Sequence, residues 1–264
     1  MKKLKNWIIC LLLVVCCFGF VACGDKNKVN LNQKPNVAIV GDFQQTEVAQ
    51  LSTTFGTQEA VAVENFDRYQ VYMAMELENY SQTTNMAFEL DENGVMQSMA
   101  MKMSIIAQST TFEATCYYKD KMFYINAPVA GFSIKCKFDL AKVAASGNVD
   151  YAEFTDMLKE MNITALLSDL FDTMQNNEYF NFEKTEDNTK FKVSKKTDAT
   201  LPEEMDCTDV SVEIELSENK LSQMKCNVTS EGESVEILLT KTDKQIKYPK
   251  ASSYIDITNE LIAG

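Results

Sequence analysis

The sequence predicts an α+β domain, an antiparallel sheet with helices packed over its concave face. Three observations predict it. Residues 83–139 alternate apolar and polar side chains with a period of two, residues 150–177 carry two apolar stripes at helical spacing, and alternation resumes from Phe180.

The chain opens with Met1-Lys2-Lys3-Leu4-Lys5 and an apolar run from Trp7 to Val21, a basic start followed by a segment short for a membrane span. This reads as a signal peptide, residues 1–22. It ends in Phe20-Val21-Ala22-Cys23-Gly24, which resembles the bacterial lipobox, with Phe20 where leucine is usual. The resemblance implies cleavage before Cys23 and acylation of its thiol. Two or three acyl chains hold a protein on a bilayer where one does so weakly. The expected address is the outer face of the bacterial cytoplasmic membrane, with the membrane itself as partner.

Residues 1–22 contain three lysines and no acid. Their removal from a chain with 25 basic and 38 acidic side chains leaves 22 and 38, net −16. That balance, taken over the whole chain, opposes binding to nucleic acid and to anionic lipid head groups. Residues 23–58 read as the lipidated cysteine and a tether, rich in Lys and Asn before Pro35. From Asn65 to Asn79, Phe66, Tyr69, Met73 and Leu77 recur at three- and four-residue spacing, so a helix capped by Asn65 is expected there.

In the meander, Met86, Phe88 and Leu90 alternate, and a turn at Asn93-Gly94 sets Phe88 opposite Met99 and Met86 opposite Met101. A turn at Lys119-Asp120 places Cys116 across from Phe123, and a loop after Pro128 places Cys136 opposite Phe123 from the other side. Two strand spacings put the two cysteines roughly 9–10 Å apart between Cα atoms, beyond the ~7 Å Cα limit of a disulfide. Both are expected as thiols, while Cys207 and Cys226 are left open.

Asp150 with Glu153 resembles a capping box, and Phe154, Met157, Leu158 and Met161 give the first helical stripe. Ile163, Leu166, Leu167, Leu170, Phe171 and Met174 give the second. Later, an Asp187-Asn188 turn pairs Phe182 with Val193. A three-residue loop over 218–220 pairs Ile214 with Met224, Val212 with Cys226 and Val210 with Val228, because a two-residue loop at Glu218-Asn219 would leave apolar side chains facing lysine and glutamine. Glu231-Gly232 then sets Cys226 against Ile237, and a short last strand is expected near Ile246–Tyr248. Residues 59–258 form one domain, followed by a tail, 259–264.

There is no histidine, which removes Ser-His-Asp, Cys-His and histidine-metal chemistry. Ser217-x-x-Lys220 has the spacing of penicillin-interacting serine enzymes but falls in a hairpin. No glycine-rich phosphate loop or CxxC pair occurs. An enzyme, a metal site and a cofactor are not expected.

The order of elements resembles the unclosed half-barrels of the LolA carrier and the LppX-like lipoproteins: an N-terminal helix, a long meander, helices over the concave face, and hairpins ending in Tyr248-Pro249. That resemblance implies an acyl chain or lipidated partner held between sheet and helices. Met86, Met99, Met101 and Met103, with Phe88, Phe112, Phe123, Phe132, Ile134, Leu167, Leu170 and Phe171, are the expected lining, methionine being adaptable to varied apolar guests. The alternative is that they fill an ordinary core, leaving a structural or interaction lipoprotein of the envelope.

Overall fold

The computed structural model describes residues 30–47, 66–77, 80–92, 96–107, 110–129, 132–146, 178–201 and 207–263. Among the described residues thirteen strands make one sheet: β1 Gln44–Gln45, β2 Arg68–Leu77, β3 Tyr80–Leu90, β4 Met96–Ala107, β5 Thr110–Lys119, β6 Met122–Val129, β7 Phe132–Asp139, β8 Phe180–Lys184, β9 Lys190–Lys195, β10 Asp209–Ser217, β11 Lys220–Ser230, β12 Glu233–Lys241 and β13 Ile255–Asp256. Their spatial order is β1-β8-β9-β10-β11-β12-β2-β3-β4-β5-β6-β7-β13. The two runs of consecutive hairpins are thus joined into one meander where β12 pairs with β2, from Ser234 opposite Glu76 to Lys241 opposite Tyr69. Each outer edge is closed by a strand of only two residues, β1 antiparallel on β8 and β13 parallel on β7, which limits the unpaired backbone offered to other chains.

Among the described residues the α-helices are α1, Leu140–Ala145, and α2, Thr258–Ala263. The fold is therefore all-β, which overturns the α+β expectation of helices packed over the concave face. The helical segment expected at 150–177 lies outside the described residues. The one expected at 65–79 is strand β2, and its burial shows why: Tyr69, Val71, Met73 and Met75 are all buried at every second position, between partners on β12 and β3. The same residues satisfy a helical and a strand period over two turns, and cross-strand pairing decides for the strand.

The hairpins follow local chemistry. Asp120 and Lys121 both have positive φ, 52° and 65°, so the β5–β6 turn sits one residue later than expected. That shifts the β5–β6 register by two, so Phe123 faces Tyr118 and Cys116 faces Ile125; the β6–β7 register is also two residues from the expected one, with Cys136 facing Ile125 from the other side. A two-residue shift keeps every side chain on its face, so the core is unchanged.

At the β10–β11 hairpin the pairs Ile214–Met224, Val212–Cys226 and Val210–Val228 all form, by a different device from the expected loop. The turn is two residues, Glu218 and Asn219, with φ of 54° and 60°. A bulge restores the register, Glu215 facing Gln223 and Leu216 facing Leu221, with Ser222 as the extra residue donating its hydroxyl to the Glu215 carbonyl at 2.9 Å. Glutamate in the left-handed region is strained by its Cβ. Glu218→Gly is accordingly expected to raise stability by about 0.5–1 kcal/mol in urea unfolding.

The polar face of the sheet is crossed by two extended segments. Residues 30–46 run from β4 to β8. Lys102 Nζ donates to Asn32 Oδ1 at 2.8 Å, Gln70 Nε2 to the Gln33 carbonyl at 3.2 Å, Lys34 pairs with Glu236 at 2.5 Å, and Lys190 Nζ donates to the Val40 carbonyl. The twelve chain steps from Asn32 to Gln44 reach at most ~40 Å, enough for the seven strand spacings, ~34 Å, between β4 and β8. Gly41 is needed at the far end, where an added Cβ would lie 2.8 Å from Thr185 Cγ2.

Residues 242–254 cross the other half, from β2 to β7. Thr242 N–H donates to the Arg68 carbonyl, and Lys137 Nζ to the Ala251 carbonyl at 3.2 Å. The ring of Tyr254 meets Tyr124 edge to face. The expected strand at 246–248 is absent, and Ile246 instead packs on Ala87 and Ala100 beside Leu31. Alanine at both outward positions lets the two segments lie close to the sheet.

Candidate functional site

On the opposite face, register places apolar side chains in rows across the sheet. One row runs Phe191, Ile214, Met224, Leu239, Val71, Met86, Met101, Cys116, Ile125, Cys136 and Ile255, each directly opposite the next. A second brings together Tyr69, Phe88, Met99, Tyr118, Phe123 and Phe138. Strands β2, β3 and β4 contribute seven buried methionines, Met73, Met75, Met86, Met96, Met99, Met101 and Met103. Methionine lacks β-branching and has a polarisable sulfur, so this part of the face adapts its shape more readily than the Val- and Ile-rich part on β10 and β12.

Of the expected lining, Met86, Phe88, Met99, Met101, Met103 and Phe123 are between 0 and 6% exposed and belong to one continuous apolar cluster. Phe112 and Ile134 are not buried with them. They share the apolar face by register, yet are 43% and 45% exposed, towards the end of the sheet that carries the β4–β5 and β6–β7 connections. Phe132 lies in β7 opposite Val129. Cys23, Leu167, Leu170 and Phe171 lie outside the described residues.

A polar feature of this face was missed from the sequence. Gln82 and Thr84 point inward with 1% and 4% exposure. Tyr80 donates its hydroxyl to Gln82 Oε1, and Gln82 Nε2 donates to Thr84 Oγ1 at 3.3 Å. The signal was the parity of Tyr80, Gln82 and Thr84 with Met86, which extends the inward set beyond the apolar residues.

The other face holds a cleft of about 240 Å³ lined by Leu31, Asn32, Thr83, Asn85, Lys102, Ser104 and Glu113. Lys102 lies 3.2 Å from Glu113, so its charge is balanced within the cleft. This is a polar space on the reverse of the sheet from the methionines.

Cys116, Cys136, Cys207 and Cys226 are thiols and not disulfides. Burial pushes the Cys226 thiol up to about 12, with the Cys207 thiol adding to it, and burial raises Cys136 as well. Four thiols per mature chain are expected in a denaturing thiol titration, with no mass change on reduction. In the folded protein at pH 8, alkylation of Cys226 should be far slower than that of an exposed cysteine.

No protein-family model matches the chain, and no curated protein matches it. A porin-like protein from Bacteroides uniformis is similar over 67% of this chain and 96% of its own length, at 10% identity and a TM-score of 0.22. This is a weak fold-level resemblance to a β-rich protein, and it does not single out LolA.

Proposed function

We propose that the mature chain is a non-enzymatic lipoprotein, anchored through Cys23 on the outer face of the cytoplasmic membrane, that takes an acyl chain or similar apolar molecule against its methionine-bearing face. The observation that carries this reading is the seven methionines on three adjacent strands of one face. Their side chains can change rotamer to open space at small cost, whereas branched side chains resist it. The exposed Phe112 and Ile134 supply an apolar rim through which a chain can enter. Kinship with the LolA- and LppX-like half-barrels is part of this proposal, supported by two runs of consecutive antiparallel hairpins, β2–β7 and β8–β12, joined into one sheet by the β12–β2 pairing.

A second reading, a structural or interaction lipoprotein with a filled core, is favoured by the complete burial of Met99 and Phe123, both 0% exposed. Titration of the delipidated Cys23→Ser mature chain with a fluorescent fatty acid separates the two. Saturable uptake that Met101→Phe weakens several-fold supports the carrier. Absence of uptake rejects it in favour of the filled core.

A further inference from the structure

The charge of this acidic chain is unevenly distributed. Residues 96–146 and 242–256, which form β4–β7, α1 and the second crossing segment, hold nine lysines and five carboxylates, against 22 basic and 38 acidic groups in the mature chain. The remainder is left with 13 and 33. On the outer surface of this basic region Lys119 sits 4.7 Å from the ring of Tyr248, and the exposed Lys244, Lys247 and Lys250 flank that tyrosine. Tyr248 itself packs onto the sheet against Ala87, Ala100 and Ile246 with its hydroxyl buried, so the surrounding lysines form the outer surface, and ammonium groups so placed suit a lipid headgroup layer, where they meet phosphate.

The docked N-terminal segment points to the same face independently. Its first described residues, Asn30–Asn32, lie beside β4, where Asn32 meets Lys102 and Leu31 packs near Ala87 and Tyr248. Asn30 is seven chain steps from Cys23, a reach of at most ~25 Å. An acyl chain on Cys23 therefore holds the β4–β7 side nearer the bilayer than β8–β10, where the docked segment ends. We propose that the outer face of β4–β7, with residues 244–250 across it, is a docking surface for an anionic phospholipid bilayer and sets the orientation of the domain. The anchoring part rests on the lipoprotein reading, and the charge asymmetry does not.

The test uses tryptophan, because the chain's one tryptophan, Trp7, precedes Cys23. Ser252→Trp and Asp198→Trp, both at exposed positions, are made in the acylated protein and reconstituted into phosphatidylcholine vesicles with and without phosphatidylglycerol, carrying a headgroup-attached energy acceptor. Transfer from Ser252→Trp is expected to exceed that from Asp198→Trp at least threefold in the anionic vesicles, and K244Q/K247Q/K250Q should reduce the difference. Equal transfer, or greater transfer from Asp198→Trp, overturns the proposal. A protein that fails to float with vesicles refutes the anchor, and the face is then read by co-sedimentation of the Cys23→Ser mature chain with phosphatidylglycerol vesicles at low salt. Binding that the triple substitution lowers about tenfold supports the surface, and binding unchanged by it sinks the surface.

Discussion

Met101→Asp is expected to leave the mature chain unfolded, whereas Lys102→Gln, one residue along the same strand, should cost under about 1 kcal/mol. Met101 is 1% exposed between Met86 and Cys116. Truncating a buried methionine costs about 2–5 kcal/mol, and an unpaired carboxylate in its place adds several more. Together these approach the whole stability of a domain, about 5–15 kcal/mol. Lys102 faces the other way and loses only a part-exposed ion pair with Glu113 and a contact to Asn32. Far-ultraviolet circular dichroism and urea titration of both variants check the contrast. Equal effects would mean that the faces are assigned wrongly.

Phe88→Ala should destabilise by about 3–5 kcal/mol, a fall in Tm of about 10 °C, measured by calorimetry. Phe88 is 1% exposed, lies 5.6 Å from the Tyr69 ring between centroids, and stands at the junction where β12, β2, β3 and β4 meet. Tyr69 is itself fully buried, donating to the Leu221 carbonyl at 2.9 Å and accepting from the Phe66 N–H at 3.0 Å. Burial pushes its hydroxyl up to about 12 from 10.0. A raised folded-state pKa gives stability that is fully present below pH 10 and lost as pH rises towards 12. Part of the alkaline unfolding in that window should therefore disappear in Tyr69→Phe.

Much of the sheet was legible because hairpin register is a local problem. The pairs Phe88–Met99, Phe182–Val193 and Val228–Val235 follow from apolar parity and turn residues. The β12–β2 pairing was not legible, since it joins residues about 160 positions apart and no turn specifies it. The helical reading of β2 arose from the same gap. Without its neighbours, Tyr69, Met73 and Leu77 give a helical stripe, while Val71 and Met75 become inward residues only once β12 and β3 flank them. The outer-face segments were hidden for another reason. Residues 30–46 and 242–254 are held by isolated hydrogen bonds and small apolar contacts, which leave no period in the sequence.

Within the candidate site, Met86, Met99, Met101 and Phe123 were readable from alternation alone. The exposure of Phe112 and Ile134 was not, because alternation reports the face of a residue and not how far along the strand the core extends.

Native mass spectrometry of the Cys23→Ser mature chain, purified without delipidation from cells of the source type, tests the apolar-guest reading most directly. The account predicts a population carrying the added mass of one lipid or fatty acid, released by organic solvent and depleted in Met101→Phe. Bare chain alone, with no adduct formed on incubation with fatty acid, would contradict it.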